Sequence, residues 1–398
     1  MIIENVNVSQ IRGKTRLTAD IIFRGRQRES LYYEVESRYR NFVTQDATPF
    51  LITLLIPCMK LGENIVVRGT VSHKLLHAIE KIMHLLISWN LGLKKVMIEV
   101  SKTRKGNLST TNIGIFFSGG VDSYSTFLKQ KRSSGGKISH LIFIRGFDIR
   151  LDDKALYARV LSQIEKVSRK EGICLITVRT NARMMTDRYV EWDYAHGAVL
   201  AGIAAALRGG FEKIFISGGM EYAALRPYGI HPDLDPLWST EPTSILHDGC
   251  DDTRFEKIAK YISKSGTALQ TLRVCWRNKK GQYNCCECEK CLRTMLSLLN
   301  AGVLFKSRTF PKPINNRKLS KLPLRSNEVR YFQENLDILV QNKKYPEVAQ
   351  SIARCIARYH AGQEHRSLFR KAREELALLD RRYLNSQIFF MLSRKGFI

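Results

Sequence analysis

The chain has 398 residues, 44% of them hydrophobic, with 64 lysines and arginines against 37 aspartates and glutamates, a formal net charge of +27. That length suits two or three packed domains, and the basic surplus either draws polyanions such as nucleic acid, acidic lipid and nucleotide phosphate or simply serves solubility. A membrane span is excluded, because no run reaches the roughly 18 to 20 uncharged apolar residues required; the greasiest stretch, PFLITLLIPCMKLG, is short and holds Pro57 and Lys60. The opening MIIENVNVSQIRGK also lacks the basic, then apolar, then small-residue order of a secretory signal, so a cytoplasmic location is expected.

Residues 1–105 read as a small α+β domain. RLTADIIF, SLYYEVES and NIVVRGT alternate like strands, KLLHAIEKIMHLLISWNLG repeats its apolar residues at helical spacing, and VMIEV reads as a closing strand. SKTRKGNLSTTN is polar and unpatterned and reads as a linker. From 106 to 302 strand and helix alternate: IGIFF, a helix from SYSTFLKQK, HLIFIRGF, the helix KALYARVLSQIEKVSRK, ICLITVRTN, the small-residue helix AHGAVLAGIAAALRGG, and KIFISGG. This rhythm predicts a parallel sheet covered by helices, with ligands at the carboxyl ends of its strands. Residues 303–398 are basic, with helices expected in NEVRYFQENLDILVQN, YPEVAQSIARCIARYH and HRSLFRKAREELALLDRRYLN.

The stretch FFSGGVDSYSTFL joins a strand, a small-residue turn and a helix. Glycines let successive backbone N–H groups converge there, and the helix N-terminus adds positive dipole, which together suit an anion. Ser118 and Ser123 add hydroxyls, and Asp122 can cap the helix or hold Mg²⁺ against phosphate. The turn has neither the ending of a Walker A loop nor the glycine spacing of a dinucleotide fingerprint.

SGGVDS, Ser118 to Ser123, closely resembles the pyrophosphate-binding loop of the N-type ATP pyrophosphatases. The resemblance implies a HUP-like (adenine nucleotide alpha hydrolase-like) α/β sheet and the splitting of ATP to AMP and pyrophosphate. It implies that Ser118, Gly119, Gly120, Val121, Asp122 and Ser123 hold the phosphates. Adenine would lie against the backbone near Ile144, Arg145 and Gly146. From their own place after the second and third strands of the block, Arg145 or Arg179 could neutralise charge on pyrophosphate or on a substrate carboxylate. Each of these arginines could equally be a salt-bridge partner.

Nine cysteines are present, five of them crowded into RVCWRNKKGQYNCCECEKCLRTML. Cys275, Cys285, Cys288 and Cys291 form C-x9-C-x2-C-x2-C, a set that closes a tetrahedral Zn²⁺ shell with no open position, which is a structural site. A [4Fe–4S] cluster uses the same ligands. Cys286 is left out of the set by its poor chelate spacing. The loop followed by this cysteine set is similar to 7-cyano-7-deazaguanine synthases, which use ATP and ammonia to convert a carboxylate to amide and then nitrile. That resemblance covers residues 113–300. The long ends depart from it, as does SGGMEYAALRPYGIHPDLDPLWSTEP, and both suit a ligase recruited to another substrate, including a protein, as in relatives that serve phage defence.

That departing segment is expected to choose the substrate, with Glu221, Tyr222, Arg226 and Trp238 as substrate residues beside Arg179, and with Tyr228, His231, Asp233, Asp235 and Glu241 in the same loop. The bland alternative makes Trp238 core and the charges solvated. Asp148, Asn181, His196 and His247 are further polar groups near strand ends, the histidines being read as structural. The leading expectation is an adenylating carbon–nitrogen ligase with ATP, Mg²⁺ and Zn²⁺, a small-molecule carboxylate, an amine donor, and a protein or RNA acceptor on the basic C-terminal region. The alternatives are a tRNA thiolation enzyme, with Cys286 as the reactive thiol, and a nucleotide-dependent RNA- or partner-binding module. Oligomeric state, homo-oligomer included, is left open.

Overall fold

Ten strands join into one sheet in the computed structural model, which describes residues 1–106, 110–133, 137–241, 243–279 and 281–363. The strands are β1 (Ile2–Ile11), β2 (Lys14–Ile22), β3 (Glu29–Glu36), β4 (Ile65–Ser72), β5 (Ile98–Arg104), β6 (Ile113–Phe116), β7 (Ile138–Arg145), β8 (Cys174–Thr180), β9 (Lys213–Ser217) and β10 (Ser244–Asp248). Their order is β10-β9-β6-β7-β8-β3-β2-β1-β4-β5. The block from β10 to β8 is parallel throughout, as the alternation of strands and helices predicts.

Helices in chain order are α1 (Thr48–Leu61), α2 (His73–Ser88), α3 (Val121–Ser133), α4 (Lys154–Glu171), α5 (Ala182–Thr186), α6 (Trp192–Ala206), α7 (Arg254–Lys260), α8 (Gly266–Thr271), α9 (Glu289–Asn300), α10 (Asn316–Ser320) and α11 (Ser326–Gln341). A further helix, α12, runs over 346–363. The helix expected in HRSLFRKAREELALLDRRYLN lies outside the described residues.

The chain forms two compact units, Met1–Cys285 with Ser297–Pro311, and Cys286–Leu296 with Lys312–Ile398. In the first, residues 1–105 do not fold apart from the rest of the sheet: β3 pairs antiparallel with β8 through Tyr33 opposite Thr180 and Glu34 opposite Arg179. The alternation in β2 and β3 buries Leu17, Ala19, Ile21, Leu31, Tyr33 and Val35 on one face. Two elements escape the expected pattern. β1 alternates too weakly to stand out, and PFLITLLIPCMKLG becomes α1, a helix buried from Thr48 to Met59 and closed by Gly62 at φ +68°. A helix that is apolar all round carries no periodic signature. α6 packs against it so closely that a Cβ on Gly202 would stand 2.2 Å from Thr53 Oγ1. In the second unit, α11 buries Phe332 and Leu339, α12 buries Ile352, and the Cys355 thiol donates to the Leu322 carbonyl at 3.4 Å.

The parallel block places the site. From β6 the chain steps to β7 and β8 on one side, then returns to β9 and β10 on the other. Helical connections therefore diverge between β6 and β9, and at such a switch point the carboxyl ends of the strands frame an open crevice. The turns leaving β6 and β9 are Ser118–Gly120 and Gly218–Gly219.

Candidate functional site

The turn after β6 is a glycine-bearing strand-to-helix connection leading into α3. Gly119 takes φ +75°, a region closed to most side chains, and a Cβ there would meet nothing within 4 Å. Ser118 Oγ accepts from the Gly120 N–H at 3.3 Å and lies 3.4 Å from Ser123 Oγ, which donates to the Gly120 carbonyl at 3.1 Å. The first helical bond of α3, Tyr124 N–H to Gly120 O, is 2.9 Å. The turn is fastened from below, where Arg273 N–H donates to the Gly119 carbonyl at 2.8 Å. Ser118 is exposed, Asp122 and Gly120 are half-buried, and Val121 and Ser123 are buried.

Two cations that the sequence reading passed over face Asp122. Arg254 Nη1 and Lys257 Nζ, both from α7, each lie 3.4 Å from its carboxylate oxygens, and Lys257 Nζ also donates to the Gly218 carbonyl at 2.7 Å. Lys257 is 1% exposed. One lysine thus couples the turns on both sides of the switch point. Arg254 and Lys257 share a helix face at i, i+3, and a Thr253–Glu256 capping box starts that helix. That spacing was legible in RFEK, but its meaning depended on β10, SILHD, whose polar ends show no alternation.

The remaining strand-end residues fall elsewhere. Arg145 donates to the Leu151 carbonyl at 2.6 Å and stacks on Tyr157 at 4.5 Å, so it holds the β7–α4 loop closed. Gly146, at φ +111°, lies where a Cβ would come within 2.1 Å of the Thr180 carbonyl oxygen, and its neighbour Ile144 is half-buried. Arg179 sits at the β8–β3 seam, 3.6 Å from Glu34 and above Tyr32. Asn181 ties that seam by accepting from Tyr32 N–H at 3.0 Å. Asp148 is exposed and stands 3.7 Å from Arg183.

The segment between β9 and α7 holds β10 and short 3₁₀ turns at Tyr222–Ala224 and Asp235–Trp238. Trp238 is fully buried in the core, which corrects its reading as a substrate residue: the ring packs inside and no face is left for a ligand. Glu241 is likewise engaged at the start of α2, accepting from Lys74 N–H and Ser72 Oγ–H at 2.7 Å each. Tyr222 is 62% exposed, Glu221 is half-buried, and Arg226 stacks on Tyr228 at 5.1 Å. His231 lies against Trp89 and within 3.6 Å of Asp233, while the His196 ring borders Tyr228.

The same segment brings together a group the sequence did not reveal. His247 Nδ1–H donates to Asp235 Oδ2 at 2.7 Å, and His247 Nε2 lies 3.0 Å from Cys250 Sγ. Burial alone would lower the His247 pKa, but the Asp235 carboxylate and the Cys250 sulfur outweigh it and raise it from 6.5 to about 9. A raised folded-state pKa stabilises fully below the unfolded value and is lost as pH rises through the folded one. Unfolding free energy should therefore fall between pH 6.5 and about 9, by about 3 kcal/mol. Urea titrations across that range check this, and the fall should shrink in Asp235→Asn; an unchanged slope would mean that His247 is not coupled to Asp235.

Cys275, Cys285, Cys288 and Cys291 come together as the sequence spacing predicts, all buried, with their sulfurs within 4.8 Å of one another. Tetrahedral zinc with bonds of about 2.3 Å needs sulfurs about 3.8 Å apart, so the donor set suits a closed site after a small contraction. Asn284 Oδ1 pins the near arm by accepting from Val274 N–H at 2.9 Å and Cys275 N–H at 3.2 Å. Cys286 is buried at φ +58° and stands outside the four-sulfur group.

Among the described residues no helix is long and apolar enough to cross a membrane. Comparisons with protein-family models, curated proteins and solved structures return no match.

Proposed function

We propose that the chain is an ATP-dependent adenylating enzyme of the 7-cyano-7-deazaguanine synthase type on a HUP-like sheet. It splits ATP to AMP and pyrophosphate and so activates a carboxylate or amide for a nitrogen nucleophile. The observation that carries the reading is the SGGVDS turn at the switch point between β6 and β9, with Lys257 and Arg254 beside Asp122. Backbone N–H groups of Gly119 to Ser123 and the start of α3 receive the phosphates. Lys257 and Arg254 balance charge that grows on the departing pyrophosphate. Asp122, already flanked by two cations, would hold Mg²⁺ only together with substrate phosphates, the usual arrangement for that ion.

Adenine would lie along Ile144 to Gly146, and Glu221, Tyr222 and Arg226 remain the candidates for substrate contact. The acceptor is a small molecule, a protein or an RNA, the last two through the basic C-terminal region. Zinc at the four cysteines supplies structure and no reacting group.

The test is to incubate purified protein with Mg-ATP, ammonia and 7-carboxy-7-deazaguanine, following AMP, pyrophosphate and product mass. Asp122→Ala should cut AMP formation at least about a hundredfold. AMP without a deazaguanine product would keep the chemistry and change the acceptor. ADP as the product, with Asp122→Ala unimpaired, would sink the assignment of the loop.

A further inference from the structure

His247, near the end of β10, stands between a carboxylate and a thiol, each within hydrogen-bond reach of a different ring nitrogen. That is the chemical order of an activated nucleophile: a base touching the thiol, and a third group fixing the base's tautomer. Asp235 is fully buried and its other oxygen accepts from the His231 N–H at 3.2 Å, so the carboxylate cannot swing away. The group also adjoins the phosphate turn. A Cβ on Gly218 would meet His247 Nε2 at 2.4 Å, and the Gly218 carbonyl is the one bound by Lys257, which faces Asp122. Cys250 is buried, 3% exposed, and its carbonyl accepts from the Tyr222 N–H at 2.9 Å.

We propose that Cys250 is an acyl-accepting nucleophile, with His247 as the base that takes its proton and Asp235 as the residue that positions His247. The proposal rests on the adenylation reading above, which supplies the electrophile. The thiolate sulfur attacks the carbonyl carbon of an acyl adenylate, a carbon–sulfur bond forms, and the bond from that carbon to the phosphate oxygen breaks. AMP leaves, and the thiol proton stays on His247 Nε2. The resulting thioester then gives its acyl group to the amine, which returns the thiol. No oxidant or reductant is required, whereas a sulfur-transfer use of the same thiol would need both a sulfur donor and a reductant.

The charged groups around the pair are Asp235 and His231 from the preceding loop, Asp248, Asp251 and Asp252 after it, Lys257 from α7 and Lys129 from α3. Lys129 is held by Asp248 and Asp251, and Lys257 by the Gly218 carbonyl. His247 is therefore the cation in direct contact with the sulfur.

The test uses the full chain and two probes that need no ATP. Iodoacetamide labelling at pH 7, quantified per cysteine by peptide mass spectrometry, should alkylate Cys250, although it is buried, at least about tenfold faster than Cys174. Exposed Cys174 is the internal reference. p-Nitrophenyl acetate should then place one acetyl group on Cys250, removable by hydroxylamine. His247→Ala should slow both reactions about a hundredfold or more, and Asp235→Asn, which preserves the packing, should slow both about tenfold while leaving the Cys174 rate unchanged. Labelling of Cys174 with Cys250 untouched, or a Cys250 rate indifferent to both substitutions, would overturn the proposal. The profile in Asp122→Ala separates the two readings: loss of AMP formation with Cys250 reactivity retained means that the phosphate turn and the thiol are independent parts. A reactive Cys250 in a wild-type chain that makes no AMP leaves the nucleophile standing and removes the adenylation.

Discussion

Stripping metal from the purified chain with a chelator should lower its melting temperature sharply, and zinc should restore it. The reason is the thermodynamics of four buried thiols. Cys58, buried outside such a group, shows the alternative state: burial pushes its thiol pKa up to about 12, so it stays neutral. The four sulfurs lie within 4.8 Å of one another, and four thiolates around a divalent cation contribute on the order of 10 kcal/mol to folding. The near arm depends on the site as well, because Asn284 fixes Cys275 and also donates to the Leu272 and Thr309 carbonyls. Cys288→Ser, which removes one ligand, should reproduce most of the chelator effect. Metal analysis with a visible spectrum distinguishes zinc, which is colourless, from an iron–sulfur cluster. A chain that carries no metal yet melts at the same temperature with and without chelator would overturn the structural role.

Lys257→Met should reduce AMP formation by about a hundredfold or more while lowering stability only modestly. The methionine keeps most of the apolar stem, so α7 stays packed, and Arg254 remains beside Asp122. What is lost is a fully buried lysine that binds the Gly218 carbonyl and faces the Asp122 carboxylate. Charge held away from water acts strongly on charge that develops nearby. Steady-state kinetics of AMP release, with melting as the folding control, check this; a retained rate with a lowered melting temperature would assign Lys257 to structure alone.

Several parts of the molecule were legible because their signal is local. β2, β3, α2, α4 and the strands from β6 to β9 follow from alternation or helical spacing, and the four cysteines follow from chelate spacing, since Cys285, Cys288 and Cys291, three positions apart, can converge on one ion. The turn at Ser118 to Ser123 is a contiguous motif between two elements, so its geometry travels with its sequence. Others carry no local signal. α1 is buried on every side, and β10, SILHD, starts and ends on polar residues and shows no alternation.

Tertiary structure alone decided what those elements meet. The β3–β8 pairing that joins residues 1–105 to the parallel block is a contact between segments about 145 residues apart, and nothing in either strand names its partner. Trp238 looked like a ligand-facing ring and is core, because aromatic character does not specify a side. Lys257 reaches Asp122 across 135 positions, and Asp235, His247 and Cys250 align only because β10 pairs with β9 and the preceding 3₁₀ turn folds back on it. Hydrogen bonding and burial act over a few ångströms in space, whereas the patterns readable in a sequence extend over a few residues along the chain. Where the two distances coincide the sequence determined the answer, and where they do not the fold did.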